Sequence, residues 1–124
     1  MMIVIIGIGG FIGAILRYLL SGWIQNGFIS FPAGTLFVNF MGCFLLSFIM
    51  YLSEYHGIFN ENSRVFLTIG LLGAFTTMST FSYEAFRLFE QKAYILFLVN
   101  LFSTIIFCFI AVYLGRMIAV YFWR

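Results

Sequence analysis

Apolar residues run almost unbroken through four stretches of this chain, and polar residues collect in the short gaps between them. A run of at least ~18 predominantly apolar residues is long enough to cross a bilayer as a helix. The pattern predicts helices over residues 2–24, 32–53, 64–89 and 93–120. Pro32 opens the second, since proline is favoured in a first turn. The most polar gap runs from Glu54 to Ser63; there Asn60, Asn62 and Ser63 are candidate N-caps, and His56 reads as a solvated loop histidine. Arg87, Glu90 and Lys92 mark the exit of the third stretch. The tail Tyr121-Phe122-Trp123-Arg124 carries aromatics suited to a membrane interface.

Composition turns this pattern into a class. Of 124 residues, 64% are hydrophobic and 8% charged. No soluble domain of this size hides so much apolar surface. The expectation is a single all-α integral membrane domain of four transmembrane helices. Met1-Met2-Ile3 has no basic region before its apolar run, which argues against a cleaved signal peptide. A net charge of +2 without a Lys or Arg cluster gives no footing for nucleic acid. Cys43 and Cys108 both lie in apolar runs and read as small packing residues rather than a disulfide or metal pair.

Polar residues inside the apolar runs carry the functional signal, because a bilayer offers no water to satisfy them. The segment Gly73-Ala-Phe-Thr-Thr-Met-Ser-Thr-Phe-Ser-Tyr-Glu84 holds six hydroxyls and a carboxylic acid. On an unbroken helix Thr76, Thr80 and Glu84, four apart, share one face, with Ser79 and Ser82 beside them and Met78 and Phe81 as an i, i+3 pair. Asn39 lies roughly 10 Å inside the second helix, at ~1.5 Å per residue. It is either a helix–helix hydrogen bonder or a contact for a polar substrate. Asn100, Ser103 and Thr104 place further polar groups in the fourth helix. Gly70 and Gly73 mark either a break in the third helix or a close helix contact. A phenyl ring has a positive edge, so some of the 18 Phe residues are candidates to line an anion path. Gly7, Gly10 and Gly13 are small residues at spacing three that let another helix approach.

Orientation is undecided by charge. With four helices both termini and the middle loop share one side, which holds Arg64, Arg116 and Arg124; the other side holds Arg17, Arg87 and Lys92. An excess of Lys and Arg marks the cytoplasmic side, and here there is none. The chain either inserts both ways round or relies on a partner. No internal repeat is visible, so an antiparallel pair would supply the inverted symmetry that many transporters build into one chain.

Three motifs identify a family. Gly9-Gly10-x-x-Gly13-Ala14-x-x-Arg17-Tyr18, Pro32-x-Gly34-Thr35-Leu36-x-Val38-Asn39-x-x-Gly42 and Gly73-x-x-Thr76-Thr77-x-Ser79-Thr80-Phe81-Ser82-x-Glu84 stand in this order across the chain. Together they resemble the Fluc/CrcB fluoride channels. The resemblance implies an antiparallel dual-topology dimer in the cell (plasma or inner) membrane, with two pores that export fluoride passively. It implies a third helix broken near its middle and a structural Na+ at the dimer interface, held by the backbone carbonyls of Gly73 and Thr76. It further implies that Asn39 donates to fluoride, that Ser79, Thr80 and Ser82 form the hydroxyl-rich pore wall, and that Ser103 or Thr104 extends it. Arg17 would sit at a vestibule, and Glu84 matches the family's acidic position.

One position departs. The family pattern carries Phe where this chain has Met78, while Phe81 keeps the second ring. A thioether lacks a positive edge and is only a weak acceptor. Met78 is then tolerated in a homodimer, belongs to one chain of a heterodimer, or is an engineered substitution. The rival reading is a small proton-coupled multidrug antiporter of similar four-helix build. It needs a carboxylate in the first helix, which this chain lacks. A non-conducting membrane subunit is a third reading. An enzyme is disfavoured because no nucleophile, base and acid set is visible.

Overall fold

A computed structural model describes residues 1–121. The predicted interface residues Phe122 and Trp123, and the Arg124 of the charge count, lie outside the described residues. Among those described, all regular structure is helical. Helix α1 spans Met2–Gln25 and α2 spans Ala33–His56. The third membrane span covers Glu61–Glu90 in pieces. These are α3 (Glu61–Val65), a π-helical segment (Phe66–Leu72), the short α4 (Gly73–Phe75) and α5 (Met78–Glu90). The last helix, α6, spans Tyr94–Tyr121. Four spans are long and apolar enough to cross a membrane.

Local chemistry explains the ends. The Asn60 side chain accepts the Ser63 N–H at 2.8 Å and caps α3. Helix α2 runs past the expected loop start at Glu54, to His56, and stops at Gly57 in the left-handed conformation, φ 60°. His56 is therefore a last-turn helical residue rather than a loop histidine, and its Nε2 lies 3.3 Å from the Ala119 carbonyl oxygen. Between α1 and α2 the Gln25 amide ties the loop together. Its Nε2 donates to the carbonyls of Phe28 and Phe31 at 3.1 and 2.9 Å, and its Oε1 accepts the Gly34 N–H at 3.1 Å.

The most extensive packing joins α2 to α6, followed by α1 against the π-helical segment. The α1 contact depends on glycine, but not in the expected register. A Cβ on Gly7 would meet nothing within 4 Å. On Gly9 it would collide with the Phe66 carbonyl oxygen, and on Gly13 with the Leu71 backbone. The two small positions are four apart, the spacing that keeps residues on one helix face. Val38, Leu72 and Phe75 form the centre of the core, joining α2 to the third span. Helix α5 is held by α6 and α2 alone. It buries Phe81, Ala85 and Leu88, half-buries Glu84 and exposes its other residues.

Candidate functional site at the broken helix

The third span breaks at Thr76–Thr77. Both are extended, with φ/ψ of −85°/154° and −149°/114°. Below the break, the Thr76 N–H and hydroxyl both donate to the Leu72 carbonyl, each at 3.1 Å. Above it, Thr77 Oγ1 accepts the Thr80 N–H at 3.2 Å and caps α5. The same hydroxyl lies 3.2 Å from Ser79 Oγ and 3.1 Å from Thr80 Oγ1. Three polar side chains thus crowd the start of α5, where the helix dipole and free N–H groups favour an anion.

Asn39 holds the break open. Its Oδ1 accepts the Thr77 N–H at 2.8 Å, and its Nδ2 donates to the Thr77 carbonyl at 3.1 Å. An amide nitrogen has two hydrogens, and only one is engaged among the described residues. Asn39 is therefore a clamp between helices first, with one donor to spare. Gly42, one turn further along α2, gives room for this arrangement, since a Cβ there would strike the Thr76 methyl.

The clamp leaves two carbonyls without their ordinary partners. In a continuous helix the Gly73 oxygen would accept from Thr77 N–H and the Thr76 oxygen from Thr80 N–H. Those two N–H groups donate instead to Asn39 and to Thr77 Oγ1. The break also separates Thr76 from the face that carries Thr80 and Glu84, so the spacing-four alignment predicted for all three does not survive it.

The other predicted residues sit around this point. A cavity of about 210 Å³ brings Arg17 and Ser21 of α1 together with Thr35, Thr77 and Thr80. A second, about 330 Å³, is lined by Asn39, Met78, Phe81 and Thr104 together with Cys43 and Cys108. Met78 and Phe81 share that cavity but differ in burial, at 73% and 6% exposed. Ser79, Thr80 and Ser82 are exposed in the single chain. Ser103 and Thr104 are turned into α6 itself, with their hydroxyls 3.4 Å from the Asn100 carbonyl and Asn100 Oδ1. Asn100 is 1% exposed, and its Nδ2 has no acceptor among the described residues.

Glu84 stands apart from the Asn39 cavity. Its Oε1 accepts from the Thr35 hydroxyl at 3.0 Å, and its Oε2 is buried without a partner among the described residues. It lines a cavity of about 550 Å³ with Gln25 and Arg87. Neither Thr35 nor Gln25 stands out by local sequence pattern. Both are placed by contacts 49 and 9 residues apart in sequence.

A small multi-pass membrane protein whose third span breaks around an amide clamp and a cluster of hydroxyls belongs to the class that handles ions within the bilayer. The chain is a member of the CrcB family: residues 4–116 match the family described as "CrcB-like protein, Camphor Resistance (CrcB)". Among its relatives, "Fluoride-specific ion channel FluC 1" of Methanosarcina acetivorans is 60% identical over 117 residues, which is 94% of this chain and 89% of that protein. "Fluoride-specific ion channel FluC" of Methanococcus vannielii is 47% identical over 96% of each chain. A protein of the same description from Geobacter metallireducens is 44% identical over 94% of this chain and 95% of its own.

Proposed function

We propose that this chain is a passive fluoride-selective channel of the cell membrane that lets the anion leave the cytoplasm. The observation that carries the reading is the start of α5. There a helix N-terminus, the hydroxyls of Thr77, Ser79 and Thr80 and the half-buried Arg17 surround one break, while the spare N–H of Asn39 lines the adjoining cavity. These groups offer hydrogen-bond donors and positive potential, which suits an anion that sheds its water in stages. Phe81 would present its ring edge, and Ser82, Ser103 and Thr104 would continue the polar wall. A negative-inside potential drives an anion outward by ~2.3 kcal/mol per charge per 100 mV.

The working unit in this reading is an antiparallel dual-topology dimer. Ser79, Thr80 and Ser82 are exposed within a span long and apolar enough to cross a membrane, and lipid cannot satisfy them. A second chain, identical or related, would cover them. A structural Na+ fits the same break. The carbonyls of Gly73 and Thr76 have lost their helical partners, and unwound carbonyls are the ligands such a hard cation takes. An inverted partner would double the set to four oxygens.

The test is efflux from liposomes holding this chain alone, read with a fluoride electrode and with chloride as control. Fluoride efflux without chloride efflux is the expected result. No fluoride efflux from this chain alone, restored by a second family member, would replace the homodimer with a heterodimer; none in either case would reject the channel.

A further inference from the structure

Sulfur is the one chemistry in this cavity that an anion path does not use. Cys43 on α2 and Cys108 on α6 are both free thiols of intermediate exposure. They lie on the most extensively packed pair of helices. Both line the cavity of about 330 Å³, and Met78 lines it too. The cavity contains no carboxylate or imidazole, and no cluster of three His, Cys, Asp or Glu side chains occurs among the described residues. Two thiols and a thioether are soft donors, which select soft cations over Na+, Mg2+ or Ca2+.

We propose that Cys43 and Cys108, with Met78 beside them, form a binding site for a soft divalent cation of the mercuric class, placed on the ion path. Charge decides the valence. The lining is mostly apolar, and uncompensated charge is costly there. A doubly charged cation held by two thiolates is neutral, whereas a singly charged one leaves a net negative complex. The step balances: each S–H bond breaks, two S–metal bonds form, both protons pass to solvent and nothing is oxidised or reduced. Two-coordinate binding also needs only the two thiols that α2 and α6 already bring together, with the thioether as a weak third contact.

The binding itself is independent of the channel reading; its effect on efflux rests on that reading. The full chain, reduced and freed of reductant, is titrated with mercuric nitrate in detergent. Bound mercury is measured by elemental analysis and free thiols by a colorimetric thiol reagent. One ion per chain with loss of both thiols is expected, and it withstands washing with glutathione. Cys43→Ser and Cys108→Ser lose mercury to that wash, and the double variant retains none; Cys→Ala versions guard against a folding defect in the serine forms. Two ions per chain, or single variants that hold mercury against glutathione as well as the parent does, would overturn the site. In liposomes, each protein is normalised to its own untreated fluoride efflux. Mercury is expected to abolish efflux in the parent, reversibly with a dithiol chelator, and to leave the double variant unaffected. Unchanged efflux in the loaded parent would overturn the placement on the path. Absent efflux before any mercury is added counts against the channel, and the stoichiometry then decides the site alone.

Discussion

At the scale of single residues, Asn39 carries two tasks that can be separated. Its oxygen holds the Thr77 N–H and its nitrogen the Thr77 carbonyl. Asn39→Leu removes both bonds and leaves buried backbone groups unpaired, each costing ~1–3 kcal/mol. Loss of stability of that size is expected in thermal unfolding in detergent, together with loss of fluoride efflux. Asn39→Asp keeps the acceptor for Thr77 but replaces the donor with an oxygen that repels anions. It is expected to fold yet fail to pass fluoride, and efflux at the parent rate would remove Asn39 from the path. Met78 poses the reverse question. Met78→Phe restores a ring with a positive edge, and edge contacts of aromatic rings are worth ~0.5–1.5 kcal/mol. Faster fluoride efflux, by up to about tenfold at that energy, is the expected result; slower efflux would show that the thioether suits this path better than a ring.

At the scale of elements, the chain's own pattern carried the spans but not their interior. Long apolar runs made four helices legible, because lipid leaves an isolated backbone no other way to satisfy its hydrogen bonds. A break in the third span was legible as one of two readings of Gly70 and Gly73 ahead of Thr76-Thr77, and the family resemblance implied it. What holds Thr76 and Thr77 extended was not legible, because it is an amide 38 positions earlier. The π-helical segment likewise left no trace in periodicity. Of the glycines expected at spacing three on α1, Gly13 makes the close contact and Gly7 does not, while Gly9 was missed, since only the backbone of Phe66 and Leu71 tells them apart. That contrast is testable. Gly13→Ala drives a methyl into the Leu71 backbone and is expected to cost ~1–3 kcal/mol, the usual penalty of overpacking. Gly7→Ala meets open space and is expected to stay within about 0.5 kcal/mol of the parent. Equal effects of the two would mean that α1 does not pack on the π-helical segment through this face. Thr77→Ala removes the α5 cap, worth ~1 kcal/mol, and the unfolding midpoint should fall accordingly.

At the scale of the whole molecule, the proposed pair would cover what a lone chain leaves open. A lone chain buries an apolar core between α2 and the third span, yet leaves Ser79, Thr80 and Ser82 exposed in a span long and apolar enough to cross a membrane. Its Lys and Arg residues divide evenly between the two sides, which favours the proposed inverted pair. Single cysteines at Asn26 and Asn60, in a background with Cys43 and Cys108 replaced, are expected to react with an impermeant thiol reagent from either face of the membrane. Labelling from one face only would rule out dual topology. The proposed pair would bring two breaks together, and with them the Gly73 and Thr76 carbonyls whose helical donors are diverted. Four carbonyl dipoles pointing at one spot repel each other unless a cation lies between them. A ligand that binds only the assembled form stabilises it by mass action. Purification with Na+ replaced by a bulky organic cation is therefore expected to shift the protein toward monomer and to lower its unfolding temperature, with both effects reversed by added Na+. A dimer that keeps its size and stability without Na+ would remove the cation from the centre of the assembly and leave the break's carbonyls to water.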